Sequence, residues 1–168
     1  MKFCYECDGM DGLILIDKKY LAEIDDNLLN ELDIFLDRYG KSELVYDFPN
    51  ERWEDVRKRE TKKIIEFCNS GKMVIFLSNE DEDNCEINIS NIQNDSQTFI
   101  EVESGKLILV NASELIQCLA YPDLEMETNL EIDNLDKGIY SVKYEGIKDI
   151  ELVKESAFIS ELNNAIEL

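Results

Sequence analysis

Apolar and polar positions follow two different periods along this chain. Residues 13–16, 73–77 and 107–110 are short unbroken apolar runs, the pattern of buried strands. Residues 85–90 alternate instead, with Cys85, Ile87 and Ile89 on one face. Residues 3–7 and 13–17 are separated by Asp8-Gly9-Met10-Asp11-Gly12, whose two glycines predict a hairpin. Residues 98–103 and 106–110 flank Ser104-Gly105, the strongest two-residue hairpin signal in the chain. Residues 128–132 and 139–144 read as strands about a turn at 133–138. Ile139, Val142 and Tyr144 do not keep one parity, which predicts a bulge. Residues 44–48 read as a strand ended by Pro49.

Elsewhere the period is helical. Leu28, Leu29, Leu32, Phe35, Leu36 and Tyr39 fall on one face of a helix that Asp25 or Asp26 can cap and Gly40 can end. Asn50 can cap a long helix running to about Asn69, with Trp53, Val56, Ile64, Phe67 and Cys68 apolar and Gly71 as terminator. Ser113 can cap a short helix through Leu119, closed by Pro122, and Ile159, Leu162 and Ile166 are helically spaced in the tail. Strands follow one another without regular helical crossovers. The expected fold is therefore α+β, mainly antiparallel, with two or three packed helices and a strand-rich C-terminal half. A chain of 168 residues suits one domain over 1–168, with a candidate division into subdomains 1–78 and 79–168.

Charge changes the picture more than length does. Acidic residues number 38 against 17 basic, giving a net charge of −21, and residues 80–168 carry −16 of it. Such a surface repels nucleic acid and anionic membranes and attracts basic proteins. Self-repulsion should weaken the fold at low salt and high pH. The locally basic stretch at Arg52–Lys63 contains Trp53, but the global charge opposes a nucleic-acid role. No apolar run approaches the roughly 18 residues that span a bilayer, and the first residues do not form a signal peptide, so a soluble cytoplasmic protein is expected.

Composition removes further chemistries. There is no histidine, which excludes Ser-His and Cys-His nucleophiles. Neither glycine-rich phosphate-binding motif occurs. Five scattered cysteines, including Cys4-Tyr5-Glu6-Cys7, suit reduced structural thiols better than a disulfide framework or a zinc site, which would need a second pair. The run Glu80-Asp81-Glu82-Asp83 suggests calcium, but counting from Asn79 or from Asp81 puts neither glycine at the sixth position nor a carboxylate at the twelfth. No metal or cofactor is expected. Glycosidase-like carboxylate pairs have no discriminating power in so acidic a chain.

Two acidic groups remain as candidate surfaces, 80–86 and a second group of Asp123, Glu125, Glu127, Glu131, Asp133 and Asp136. On extended backbone the odd positions of the second group share one face, with Leu124, Met126, Leu130 and Ile132 opposed. Each is read either as a solvated face or as a cation-complementary docking surface.

Leu135-Asp136-Lys137-Gly138-Ile139-Tyr140-Ser141-Val142 has a G-x-Y-x-V pattern, and Gly105-Lys106-Leu107-Ile108-Leu109-Val110 leads into a polar-capped helix start at Asn111-Ala112-Ser113-Glu114-Leu115. Over about the last 70 residues this resembles small acidic bacterial immunity and nuclease-inhibitor proteins of the competence-protein-J type. The resemblance implies a cytoplasmic protein that neutralises a toxin or nuclease by covering its active site, and it transfers no site residue. The expectation is a non-enzymatic binding protein for a basic partner, with Glu80, Asp81, Glu82, Asp83, Glu86, Asp123, Glu125 and Glu127 as contact residues. The alternatives are a carboxylate enzyme using a divalent metal and a structural or phage-type accessory domain.

Overall fold

The computed structural model describes residues 1–6, 12–39, 59–76, 84–90, 98–127, 129–145 and 149–155. In chain order these form β1 (Lys2–Glu6), β2 (Leu13–Asp17), a 3-10 turn (Lys18–Glu23), α1 (Asp26–Tyr39), α2 (Lys62–Asn69), β3 (Met73–Phe76), β4 (Asn84–Ser90), β5 (Thr98–Val102), β6 (Leu107–Asn111), α3 (Ala112–Ala120), β7 (Asn129–Ile132), β8 (Gly138–Glu145) and β9 (Asp149–Lys154). The fold is α+β, as expected.

The strands divide into a five-stranded sheet ordered β1-β4-β9-β8-β5 and a four-stranded sheet ordered β3-β2-β6-β7. All pairs are antiparallel except β4 with β9. Each sheet draws strands from both sides of residue 78.

Period-two alternation builds two cores from the four-stranded sheet. Leu13 and Leu15, Val74 and Phe76, and Leu107 and Leu109 point toward the five-stranded sheet, where they meet Tyr5, Cys85, Ile87, Ile100, Tyr140, Val142, Ile150 and Leu152. Ile14, Ile16, Met73, Ile108 and Val110 point the other way, against Leu28, Leu32 and Phe35 of α1, Ile64, Ile65 and Cys68 of α2, and Leu115 of α3. The molecule is thus layered as sheet, sheet and helices, and the middle sheet is covered on both faces.

This layering overturns both hairpin expectations. β1 pairs with β4, while β2 pairs with β3 and β6 in the other sheet. The reason lies in burial. β1 buries only alternate residues and suits a sheet edge, whereas all five residues of β2 are buried and require a central position. Likewise β5 and β6 lie in different sheets, so Ser104-Gly105 turns a corner between layers. Gly105 has φ +79, and a Cβ there would sit 3.2 Å from the Leu135 carbonyl oxygen. The strands flanking 133–138 also belong to different sheets. β8 stays in unbroken register with β5 and β9, with Tyr140 and Val142 in the core and Tyr144 edge-on to Phe76, so it has no bulge.

Helix ends follow local chemistry. Asp25 is the cap of α1, its Oδ1 accepting from Leu28 N–H at 2.8 Å. Asn111, rather than Ser113, caps α3, accepting from Ser113 and Glu114 N–H groups at 2.9 and 3.3 Å. Thr61 makes no side-chain cap for α2; Glu31 of α1 reaches across and accepts from Lys63 and Ile64 N–H groups at 2.6 and 3.0 Å. The strand expected at 44–48, the helix before residue 59 and the tail helix lie outside the described residues.

Among the described residues one carboxylate is fully buried. Asp17 ends β2, and its Oδ1 accepts from Lys19 N–H at 2.8 Å while its Oδ2 accepts from Glu103 and Ser104 N–H groups at 2.8 and 2.9 Å. It therefore ties the end of the middle sheet to the corner where β5 leaves the other one. Asp17→Asn keeps the size but loses the charge and turns one oxygen into a donor facing N–H groups. It should cost about 3 kcal/mol, read in urea unfolding or as a fall in Tm of about 6–12 °C. Asp33→Asn on exposed α1 surface should stay within about 0.5 kcal/mol. Equal effects of the two changes would remove Asp17 from this role.

Burial also pushes the Cys68 thiol up from 9.0 to about 12. The folded chain keeps this proton to higher pH than the unfolded chain. Its contribution is complete below about pH 9 and falls as pH rises toward 12. Tyr20, raised by burial and then by its hydrogen bond to Glu101, acts in the same direction. Stability measured at about pH 8 and about pH 10.5 should therefore drop. Cys68→Ala should shrink that drop while lowering stability at both values; an unchanged drop would place the alkaline loss elsewhere.

Candidate functional site

The expected contact residues separate into groups with different surroundings. Glu80, Asp81, Glu82 and Asp83 lie outside the described residues. Glu86 sits on β4 between Cys85 and Ile87, which both enter the inter-sheet core, so its side chain lies on the outer face of the five-stranded sheet. There it pairs with Lys2 of β1 at 2.6 Å. The hydrogen bond to Glu86 holds the Lys2 ammonium above its usual range. Nearby, Asn88, Lys143, Tyr144, Asp149, Ile150 and Glu151 line an open groove of about 310 Å³.

Asp123, Glu125 and Glu127 lie elsewhere. They belong to the connection between α3 and β7, whose Met126 packs against the core between the middle sheet and the helices. Both sheets therefore stand between this connection and the outer face that carries Glu86. The structure joins Asp123, Glu125 and Glu127 into one segment and does not bring Glu86 to it. Residues 123–127 are not a strand, contrary to the alternating-face expectation.

Local bonds hold this segment in place. Tyr121 N–H donates to Gln117 O and Leu124 N–H to Tyr121 O, both at 2.9 Å. Glu127 N–H donates to Glu114 Oε1 at 2.5 Å, and Asn129 Nδ2 donates to Met126 O at 3.3 Å. Pro122 prevents α3 from continuing. The result is a bent, pinned connection in which Asp123, Glu125 and Glu127 are all exposed.

Ion pairing distinguishes these acids from the rest of their sequence group. Lys106 bridges Glu131 and Asp133 at 2.7 and 2.9 Å, Lys18 approaches Glu131 at 3.8 Å, and Lys154 pairs with Asp136 at 3.3 Å. Hydrogen bonds to Glu131 and then to Asp133 raise the Lys106 ammonium. Lys19 pairs with Glu103 and Lys72 with Glu23, both beside the Tyr20 ring. Among the described residues no lysine or arginine bridges Asp123, Glu125 or Glu127.

Sequence reasoning missed Tyr121 and read Leu124 only as part of an apolar face opposite these acids. Tyr121 and Leu124 are among the most exposed large apolar side chains, at 66% and 51%. Their signal was present: the helical period of Ala112, Leu115, Ile116 and Leu119 turns both away from the buried face, and Pro122 ends the helix. Among the described residues the cysteines stand in different surroundings: Cys68 and Cys85 are buried, Cys118 is half-buried and Cys4 is exposed, while Cys7 lies outside them. Among the described residues no group of three or more His, Cys, Asp or Glu is placed to hold a metal ion. No helix among them is long and apolar enough to cross a membrane.

The Cys118 thiol reports on the segment. Desolvation raises it first, and the charges of Glu114 and Glu127 raise it further. Glu127→Gln should therefore increase alkylation of Cys118 about twofold at about pH 8, followed by peptide mass spectrometry, with Cys4 unchanged as internal control. An unaltered Cys118 rate would mean that Glu127 does not reach the thiol.

Comparison of the chain with family models, with curated proteins and with solved structures finds no match in any of the three.

Proposed function

We propose that this chain is a non-enzymatic acidic binding protein that neutralises a basic protein effector, a toxin or a nuclease. The observation that supports it best is the distribution of ion pairs. Lys2, Lys18, Lys19, Lys62, Lys72, Lys106 and Lys154 are all engaged by the chain's own carboxylates. Asp123, Glu125 and Glu127 remain exposed and without such a counterion among the described residues. A net charge of −21 would steer a cationic partner over distances of about a Debye length, and local carboxylates would then occupy a site built for phosphate.

The immobilised protein, loaded with host extract at low salt and washed with rising salt, should retain a basic protein that elutes with the salt. That protein, expressed alone, should be toxic or nucleolytic, and an equimolar amount of this chain should silence it. Retention of acidic proteins only, or of a basic protein whose activity the chain leaves untouched, would overturn the proposal.

A further inference from the structure

The geometry points to residues 121–127 as the docking surface for that basic partner, with Tyr121 and Leu124 as apolar anchors and Asp123, Glu125 and Glu127 as the charges that orient it; this rests on the function proposed above. The occupant is a lysine- or arginine-rich protein surface that also offers an apolar pocket. Nucleic acid and anionic lipid have the wrong sign.

Three observations carry it. First, Tyr121 and Leu124 are exposed at 66% and 51%, although the half-buried Met126 beside them packs against the core. Apolar and phenolic surface of this kind, interleaved with carboxylates, is the composition of an interface anchor with a charged rim. Second, the segment is already ordered. The bonds from Tyr121 to Gln117, Leu124 to Tyr121, Glu127 to Glu114 and Asn129 to Met126 fix its backbone at both ends and in its middle. Binding would therefore lose little chain entropy, the condition under which a short segment can serve as a recognition element. Third, charge complementarity selects the occupant. The neighbouring acids Glu131 and Asp133 are bridged by Lys106, and Lys18 approaches Glu131, whereas among the described residues the three carboxylates of this segment have no such partner.

The whole protein, ¹⁵N-labelled, is to be titrated with two probes of equal charge: polylysine, which offers charge alone, and an amphipathic lysine–leucine peptide. Both should bind at low salt, and the peptide should keep binding as salt rises. Amide shifts should centre on residues 121–127. Tyr121→Ser with Leu124→Ser should weaken the peptide about tenfold, as loss of an aromatic anchor does, and leave polylysine affinity and Tm unchanged. Asp123→Asn with Glu125→Gln and Glu127→Gln should weaken both probes. Undiminished peptide binding by the Tyr121/Leu124 variant, or shifts confined to the outer face around Asn88 and Glu151, would overturn the docking surface while leaving the proposed function standing. Failure of both probes to bind would remove both.

Discussion

Coverage of the middle sheet on both faces is the constraint from which the rest of the structure follows. β2 and β6 have no solvent face, so their sequences are continuous apolar runs, and every polar group must go to an end, a rim or another layer. Asp17 is where that demand is sharpest. A carboxylate at the last position of a fully buried strand is tolerable only with its oxygens satisfied, and the backbone supplies three N–H groups from two separate elements. Those same bonds tie the end of β2 to the corner where the chain leaves the other sheet. A group that looks like a defect in an apolar run thus joins two layers.

The charge pattern answers the same constraint. With so few lysines in the C-terminal half, each one matters for where negative charge can gather. Lys106 and Lys154 stand at the ends of strands, close to Glu131 of β7 and to Asp133 and Asp136 in the connection that leaves β7 for the other sheet. Repulsion there would act against layer packing, so local neutralisation is structural. The same logic accounts for Lys2 and Glu86 on adjacent strands and for Lys72 beside Tyr20 and Glu23. The connection after α3 bears no inter-sheet corner, and its acids can stand uncompensated without loosening the core.

Element types were largely legible in the sequence because they depend on local period. Leu28, Leu32 and Phe35 declare the buried face of α1, and Cys85 and Ile87 declare that of β4. Pairing was not legible, because it depends on which layer covers which face. Two glycines between β1 and β2, and Ser104-Gly105 between β5 and β6, suit a tight reversal within one sheet and a corner between two sheets equally well. The discriminating sign was the absence of polar alternation in β2, which a solvent-edged hairpin could not afford. β9 escaped notice although Ile150 and Leu152 alternate with Asp149 and Glu151; its parallel partner β4 is about sixty residues away, and no short turn announces it. In the candidate site, the acids were legible as composition, but their division into lysine-bridged and uncompensated sets required the fold. Glu86 sits far from Asp123 in the layering for the same reason.

Charge alone could not give such a protein specificity, since any cation is drawn to −21. Discrimination needs a term that screening by salt does not erase and that only a shaped partner can satisfy. Apolar contact supplies it: burying one aromatic and one aliphatic side chain yields on the order of 2–4 kcal/mol before ordering costs. Those costs are smallest where the backbone is already pinned. Among the described residues, exposed Tyr121 and Leu124 coincide with both a pinned backbone and uncompensated carboxylates, so long-range attraction and short-range fit act on the same seven residues. Tyr144 is also exposed, but its ring rests on Phe76 and its neighbours include Lys143, a mixed-sign setting that would repel part of any cationic surface. The helix-side connection is therefore where the net charge can be converted into recognition.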